Sequence, residues 1–339
     1  MFNELAKYYD VTVIHSGNIS ISEGDNYKEI IVPVKKIGPF YFQSNIIKEV
    51  RSNNFDIVIG YLDVRWVYTV LSIYFNKESK YIWWGAWLTK SKVANLLRLF
   101  FTKKSDANVF YTHNEMQSFI CNNISKDNLF VANNTIDVGA RFKSYDSTIK
   151  STILLVGSLD KRKQNDVTIR AFNNIIGLIP EEINMIIIGS GEQREYLEKI
   201  VLDLDLSERV FLKGAITNPK DLELYYQKAI VSVSFGQAGL SVLQAIGFGV
   251  PFLTKKNAIS GGEKFNIKNG VNGIFCKDDI KSLEQSLVKL CTNMDYSRNL
   301  GKNAYQYYSD YCTIENMAQG FIDAIEGTNL ANIDKGNEL

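Results

Sequence analysis

The sequence lacks the features that identify several classes of protein. It has only two histidines and four widely spaced cysteines, and neither a metal-binding cluster nor a disulfide framework is visible. Lysine and arginine total 38 against 37 acidic residues, which leaves no overall charge to attract a nucleic acid. No stretch approaches the ~20 apolar residues of a membrane span, and no signal peptide is visible. We therefore expect a cytoplasmic protein that binds no nucleic acid.

Short β-rich apolar segments alternate with longer amphipathic ones along the chain. This alternation predicts the α/β class, with parallel strands joined by helices. At 339 residues the chain is long enough for two domains, each with its own core. The expected strands are 11–15, 29–34, 56–60, 80–84, 108–112, 128–132, 151–157, 184–189, 209–214, 229–234, 250–254 and 273–276.

The domain boundaries follow from composition. The segment 136–150 is polar and has no periodicity, so it is the predicted linker between an N-terminal domain, 1–135, and a C-terminal domain, 151–312. We expect the helical segment 313–328 to cross back to the N-terminal domain. The first ten residues have the pattern of an amphipathic helix where a Rossmann-like domain opens with a strand. The first strand of this domain is therefore expected to be missing.

A glycine-rich turn lies between a predicted strand and a predicted helix. Gly236 and Gly239 allow the backbone to approach a ligand closely, and the free amides of Gly239, Leu240 and Ser241 suit a phosphate. On this segment alone, a plain turn that uses glycine for its conformational freedom is an equal alternative.

A second strand-turn-helix unit carries basic residues in its turn. Gly157 ends the strand, and Lys161, Arg162 and Lys163 precede the helix. We interpret them as cations that neutralise a diphosphate lying between the two turns, both of which follow strands of one predicted sheet. A solvated basic loop is the alternative.

A third turn contains Gly189 and Gly191 but does not complete a dinucleotide fingerprint. Gln193 and Arg194 follow, so the third glycine of that motif is absent and NAD binding is excluded.

With these motifs in this order, residues 151–275 resemble family 4 glycosyltransferases of the GT-B fold, which are retaining enzymes that use nucleoside-diphosphate sugars. The first half resembles them more faintly, in its layout. In the family a lysine follows the glycine of the first turn by six residues, and Lys163 has this spacing from Gly157. Ser158 stands where the family has an arginine, so that role is either lost or passed to Arg162.

The family also has two glutamates separated by seven residues, and this chain has Gly236 and Gln244 at those positions. The resemblance implies that Gln244 holds the ribose hydroxyls, since an amide both donates and accepts hydrogen bonds. The first glutamate, assigned to the donor sugar, has no equivalent. Glu263 is a candidate for that contact, and a surface acid is the equal alternative. The remaining residues expected in the donor site are Gly157, Ser158, Gly189, Gly191, Val210, Phe211 and Leu212, the last three meeting the base through backbone groups.

The first domain is expected to hold the acceptor. Trp84 and Trp87 follow a strand and are candidates for stacking on an acceptor sugar, although core packing explains at least one of the neighbouring tryptophans. His15 and His113 complete the predicted acceptor site. For His15 a structural role is the alternative.

The segment 90–105 has the pattern of a basic amphipathic helix. Such a helix can lie on an anionic membrane, which would suit a lipid-linked acceptor. A helix whose apolar side faces the core, with a solvated basic rim, is the alternative.

The resemblance implies a hexose-transferring enzyme of surface-polysaccharide biosynthesis, such as capsule or O-antigen. It would move a sugar with retention from a nucleoside diphosphate, UDP being favoured over GDP, to a glycan or polyprenyl-linked acceptor at the inner face of the membrane. Lys163 and Arg162 would stabilise the leaving diphosphate without a metal or other cofactor. A non-catalytic subunit that binds nucleotide sugar and a nucleotide-sugar epimerase are the alternatives.

Overall fold

The computed structural model describes residues 1–17, 24–75, 78–139 and 142–328, which divide into two compact units. Unit 1 contains Met1–Asn134 and the segment that begins at Ile314, and unit 2 contains Thr135–Thr313. Within the described residues, no helix is both long and apolar enough to cross a membrane.

Unit 1 consists of short strands with helices between them. In its described part β1 and β2 pair in parallel, β3 and β4 form an antiparallel hairpin, and β5 to β8 form a parallel sheet in chain order. The strands are β1 (Thr12–His15), β2 (Lys28–Ile31), β3 (Lys35–Ile37), β4 (Phe40–Phe42), β5 (Ile57–Tyr61), β6 (Lys80–Trp84), β7 (Ala107–Phe110) and β8 (Leu129–Val131). The helices are α1 (Phe2–Leu5), α2 (Ile46–Ser52), α3 (Val67–Leu71), α4 (Lys92–Lys104) and α5 (His113–Ile120).

Unit 2 contains one parallel sheet in the order β11-β10-β9-β12-β13-β14. Its strands are β9 (Thr152–Val156), β10 (Asn184–Ile188), β11 (Val210–Gly214), β12 (Ala229–Val233), β13 (Phe252–Lys255) and β14 (Gly273–Cys276). Its helices are α6 (Asn165–Ile175), α7 (Arg194–Asp203), α8 (Pro219–Lys228), α9 (Ser241–Gly247), α10 (Ile280–Thr292) and α11 (Met294–Tyr311). The order reverses between β9 and β12, and ligands of open α/β sheets bind at the carboxyl ends of two such strands.

The core of unit 2 lies on both faces of this sheet because side chains alternate along a strand. Ile153 and Leu155 of β9 pack with residues of α6, α7 and α10, whereas Leu154 packs on the other face with residues of α8, α9 and α11. The helices begin at polar caps. Asn218, for example, accepts a hydrogen bond from Lys220 N at the start of α8.

All twelve predicted strands are present, with ends shifted by a few residues at most, so the predicted α/β class is confirmed. The hairpin of β3 and β4 was not predicted. Its strands have three residues each, and its two-residue turn places Gly38 at a φ of 55° before Pro39. Glycine at the first position of such a turn is a hairpin signal.

The segment 136–150, which we predict as a linker, lies within unit 2. Val138 is buried and joins the hydrophobic cluster around α9, and Ile136 packs against that cluster. Tyr308 Oη donates a hydrogen bond to Ile136 O at 2.6 Å. These two apolar residues anchor a segment whose composition is otherwise polar.

Helix α12 (Ile314–Glu326) completes the core of unit 1. Phe321 is buried with Ile82, Val109 and Phe130 of the parallel sheet. Gly320 faces the end of β8 so closely that a Cβ atom there would lie 2.3 Å from Val131 O. The helix therefore reaches the sheet only because residue 320 has no side chain.

We expect Gly320→Ala to destabilise unit 1, although alanine is favoured over glycine inside a helix by about 1 kcal/mol. The added methyl group must push α12 away from β8, and such overpacking costs roughly 1–3 kcal/mol. Urea unfolding measures the change. Gly177→Ala is the control, because a Cβ atom at Gly177 meets nothing within 4 Å. A Gly320→Ala protein as stable as the wild type would contradict this packing.

Candidate active site

Two turns meet at the carboxyl edge of the unit 2 sheet. The first, 157–164, follows β9 and the second, 234–240, follows β12. Gly236 N donates a hydrogen bond to Lys163 O at 3.0 Å, and a Cβ atom at Gly236 would lie 2.1 Å from Arg162 O. The turns are thus in backbone contact at the reversal of strand order, where open α/β sheets bind their ligands.

Lys163 is the buried cation of this site. It is 8% exposed and ends a short 3-10 turn that begins after Asp160. Burial lowers the pKa of its ammonium group, an effect that the charges of Asp160 and Glu263 oppose. Its Nζ lies beside Gly157, where a Cβ atom would be 3.3 Å away. Within the described part of the chain no acceptor is bonded to Nζ, so an anion at this position would provide its missing partner.

Arg162 is held differently from Lys163. It is exposed, and its Nη2 pairs with Asp160 Oδ2 at 2.9 Å. Ser158 Oγ donates to the same carboxylate, and the hydrogen bond from Arg162 lowers the pKa of Asp160 to about 2. The pair engages Nε and Nη2 of Arg162 and places a negative charge beside its guanidinium group, which weakens its attraction for a phosphate. Its predicted catalytic role stays a prediction.

The second turn leaves polar groups unsatisfied. Among the described residues, the amides of Gly239, Leu240 and Ser241 have no acceptor, and the buried Ser241 Oγ and Gln237 Oε1 have no hydrogen-bond partner. A Cβ atom at Gly239 would meet nothing within 4 Å, so the backbone there is open to a ligand. Buried polar groups normally find partners, and a bound ligand would supply them here.

Gln244 lies one turn into α9 and is partly buried. Its Oε1 accepts a hydrogen bond from Tyr226 Oη at 3.3 Å. Tyr226 is fully buried, and this burial raises the pKa of its hydroxyl. The bond to Tyr226 orients the Gln244 amide and leaves its NH₂ group as the donor for a ligand hydroxyl.

The position of the family's first glutamate has no room for a side chain. Besides the contact with Arg162 O, a Cβ atom at Gly236 would lie 2.8 Å from Gln164 Cγ. Gln164 therefore occupies the space beside Gly236. Sequence reasoning missed Gln164, and the one available signal was that glycine replaces an acid in a motif where the acid has a function.

Glu263 lies in the loop after β13, which is tied to the second turn. Ala238 N donates to Ile259 O, and Ile259 N donates to Gly236 O. Glu263 Oε2 accepts from Gly261 N at 3.0 Å and from Ser260 Oγ at 3.2 Å. Its negative charge partly opposes the lowering of the Lys163 pKa by burial. The structure therefore places Glu263 in the electrostatic environment of the site.

The third turn, which contains Gly189 and Gly191, packs against the backbone of the first turn. A Cβ atom at Gly189 would lie 1.9 Å from Gly157 O, and one at Gly191 would lie 2.5 Å from Leu159 O. Packing alone thus requires both glycines. The predicted base-binding residues, Val210–Leu212, lie on the edge strand β11, and Leu212 O accepts a hydrogen bond from Arg194.

The predicted acceptor residues do not share one sheet of unit 1. His15 lies in β1, where its Nδ1 accepts from Gly17 N and its Nε2 contacts the Glu29 carboxylate. Both ring nitrogens are therefore engaged, as the structural alternative predicts. His113 is exposed at the start of α5, after β7.

The tryptophans belong instead to the sheet of β5 to β8: Trp83 and Trp84 end β6, and Trp87 follows it. Trp83 is fully buried, which confirms core packing for one of them. Trp84 packs edge-on against Tyr61, Tyr111 and Phe321. Trp87 lies under the guanidinium group of Arg98, 5.2 Å from its ring centre. Sequence reasoning missed this buried arginine because it lies within the basic pattern of α4.

Helix α4 turns its apolar stripe outward. Val93 and Leu96 are 72% and 70% exposed, and Leu97 and Phe100 are exposed beside them. The side of α4 that faces the core of unit 1 carries Arg98, Phe101 and Thr102. Phe101 is buried in the core of unit 1 and Leu99 packs against the same cluster, so α4 has apolar side chains on its core side as well as on its outward stripe. The alternative of a core-facing helix with a solvated basic rim therefore stands beside the predicted membrane contact.

The chain is similar in sequence to glycosyltransferases. Residues 140–307 match the family model described as "Glycosyl transferases group 1". A poly(glycerol-phosphate) alpha-glucosyltransferase from Bacillus subtilis is 28% identical over 234 residues, which are 65% of this chain and 33% of that protein. An uncharacterized glycosyltransferase from Haemophilus influenzae is 26% identical over 164 residues, 47% of this chain and 45% of that protein. The matched regions thus span less than half of either relative.

Solved structures share the fold at low sequence identity. A glycosyltransferase from Rickettsia africae matches with a TM-score of 0.73 and 13% identity, over 96% of this chain and 93% of that one. Anabaena Alr3699/HepE, crystallised with UDP and glucose, matches with a TM-score of 0.69 and 13% identity, over 95% and 94%. The predicted GT-B fold is therefore confirmed, and the match of residues 140–307 to the family model confirms the predicted family resemblance.

We expect alanine to destabilise the protein at only one of the two glycines of the second turn. Gly236→Ala should lower the free energy of unfolding by roughly 1–3 kcal/mol, because the methyl group meets Arg162 O. Gly239→Ala should leave stability nearly unchanged, since its methyl group enters open space. Chemical denaturation of both variants measures the difference. Equal effects would show that the turns are not in the contact described.

Proposed function

Because residues 140–307 belong to the glycosyl transferases group 1 family, we propose that the protein transfers a hexose from a nucleoside-diphosphate sugar to a glycan acceptor. The observation that carries this proposal is the buried ammonium group of Lys163. It lies where two turns meet, and no acceptor bonded to it is found among the described residues. A diphosphate is the group that such a site suits.

Catalysis would come from stabilising the leaving group. When the bond between the sugar carbon and the diphosphate oxygen breaks, negative charge grows on that oxygen. Lys163 and the amides of Gly239 and Ser241 would offer a cation and hydrogen-bond donors to it. They are already held in place by the contact between the turns, so little reorganisation is needed as the charge develops.

The proposed reaction retains the configuration of the sugar. The acceptor hydroxyl would attack from the face that the diphosphate leaves, and its proton would pass to a phosphate oxygen. This route needs neither a separate general base nor a metal ion. It is compatible with a His15 whose two ring nitrogens are already engaged.

The donor and acceptor are proposed from what similar proteins bind. We favour a UDP-sugar over a GDP-sugar, because the Anabaena structure contains UDP with glucose. A similar Staphylococcus aureus structure, TarM, contains UDP with alpha-GlcNAc-glycerol; it has a TM-score of 0.61 and 14% identity, over 84% of this chain and 59% of that one. Together with the name of the Bacillus relative, these ligands support a surface glycan or lipid-linked polymer as acceptor.

Helix α4 would bring the enzyme to a cytoplasmic membrane surface. Its outward stripe of Val93, Leu96, Leu97 and Phe100 is apolar, and lysines flank it at positions 90, 92, 103 and 104. Apolar side chains can enter the boundary of the acyl chains while lysines contact anionic headgroups. Attachment at this surface would suit a lipid-linked acceptor.

A non-catalytic nucleotide-sugar-binding subunit is the second candidate. Two observations favour it. Gly236 leaves no room for the family's first glutamate, and Arg162 is paired with Asp160. Such a subunit would bind the nucleotide without consuming the donor, so binding and turnover together distinguish the two functions.

We expect UDP to raise the thermal stability of the wild type, and Lys163→Ala to abolish this shift. A ligand at 100 times its dissociation constant adds about 2.7 kcal/mol to the stability of a protein that binds it only when folded. Lys220→Ala is the control, since Lys220 is an exposed lysine of the same unit. GDP and UDP are compared in parallel to identify the base.

An unchanged UDP shift in Lys163→Ala would contradict the proposed site. Binding of UDP without any transfer or hydrolysis of UDP-hexoses would favour the non-catalytic subunit. Preference for GDP would correct the donor class alone.

We expect the double variant Leu96→Ser and Leu97→Ser to bind vesicles with anionic lipid at least tenfold more weakly than the wild type. Burying one leucine contributes about 1.5–3 kcal/mol, and α4 loses two without loss of its core contacts. Leu202→Ser is the control, because Leu202 is 69% exposed on α7 of unit 2. Sedimentation with phosphatidylglycerol vesicles measures binding. Equal binding of all three proteins would refute the role of α4.

A further inference from the structure

Lys255, the last residue of β13, presents a second cation at the carboxyl edge of the unit 2 sheet. Its Nζ donates a hydrogen bond to Gln164 Oε1 at 2.8 Å and lies 5.0 Å from the centre of the Phe235 ring. Both partners are neutral. Among the residues that the structure describes, no carboxylate lies within ion-pair distance of this ammonium group.

Gln164 connects Lys255 to the two turns of the site. It directly follows Lys163, and its Cγ lies beside Gly236. Its backbone adopts a left-handed φ of 54°, which is uncommon for a residue other than glycine. Residues keep such a conformation where the surrounding structure fixes it, often at functional sites. Here it directs the amide toward Lys255.

The glycine at position 236 leaves Lys255 without an acidic partner from the second turn. An acidic side chain there would point toward Gln164, whose amide oxygen holds the ammonium group. Gly236 cannot supply one. Glycine in place of the family's first glutamate therefore goes together with a nearby cation that has only neutral partners among the described residues.

A diphosphate carries more than one negative charge, so a second cation beside Lys163 would strengthen its binding. Lys163 supplies one, whereas Arg162 is exposed and paired with Asp160. Lys255 is partly buried and has only neutral partners among the described residues. It is thus better placed than Arg162 to provide the second positive charge, since no acid among the described residues offsets its charge.

We propose that Lys255 is the second cation of the diphosphate site and that Gln164 positions it. The proposal rests on the proposed function, because it assumes that a nucleoside diphosphate binds at the two turns. It assigns to Lys255 the role that the sequence led us to consider for Arg162.

The test compares the binding of UDP and of uridine to the full chain by calorimetry. We expect Lys255→Gln to raise the dissociation constant of UDP about tenfold, because one charge-assisted hydrogen bond is lost. The dissociation constant of uridine, which has no phosphate, should stay unchanged. Lys256→Gln is the matched control, an exposed lysine one position further along. Its affinity for UDP should equal that of the wild type.

Gln164→Glu tests the positioning role. A carboxylate in place of the amide would pair with Lys255, so UDP affinity should fall while uridine affinity is kept. Gln164→Ala should give a smaller loss of the same kind, because Lys255 gains no acidic partner but is no longer held by a hydrogen bond.

Two results would overturn the inference. One is an unchanged affinity of Lys255→Gln for UDP. If the KM for the UDP-sugar nevertheless rises in that variant, Lys255 contacts the sugar and not the diphosphate. The other is an equal loss of uridine binding, which would indicate a disturbed fold. Failure of the wild type to bind UDP would instead refute the proposed function itself.

Discussion

The site depends on the hydrogen bond between Gly236 N and Lys163 O. This bond brings the turn after β12 against the turn after β9, and it forms only because residue 236 has no side chain to collide with Arg162 O. The contact joins the turn that carries the buried ammonium group of Lys163 to the turn that carries the unsatisfied Gln237 Oε1 and leads into Ser241, whose Oγ is also unsatisfied among the described residues. Burying an unpaired cation is costly, so the fold holds it at the expense of stability. A bound anion would recover that cost.

Sequence reasoning located the strands and the two turns because their signals are local. Apolar runs bounded by glycine predict buried strands, and the spacing of Lys163 from Gly157 is readable without a structure. Gln164 and Lys255 could not be found in this way, since their contact joins residues 91 positions apart. Gly189 and Gly191 illustrate a different limit. These positions need glycine because a side chain would collide with the backbone of the neighbouring turn. The sequence alone does not show whether a glycine makes room for such a backbone or for a ligand.

Helix α4 shows that the spacing of apolar residues does not determine which side of a helix faces the core. The spacing of its leucines predicts an amphipathic helix, but the period does not say which stripe faces inward. An inward leucine stripe is the usual expectation. Here Phe101, Thr102 and the stem of Arg98 take the inward side, and the guanidinium group stacks on Trp87. Only the tertiary structure, in which Trp87 provides a partner for the arginine, determines the orientation.

Unit 1 is assembled from both ends of the chain, with unit 2 inserted between Asn134 and Ile314. During synthesis on the ribosome, the parallel sheet of unit 1 emerges long before α12, which covers Ile82, Val109 and Phe130. Unit 2 can complete its own core in that interval. The apolar face that α12 covers stays exposed meanwhile, so the nascent chain is open to aggregation until α12 is released.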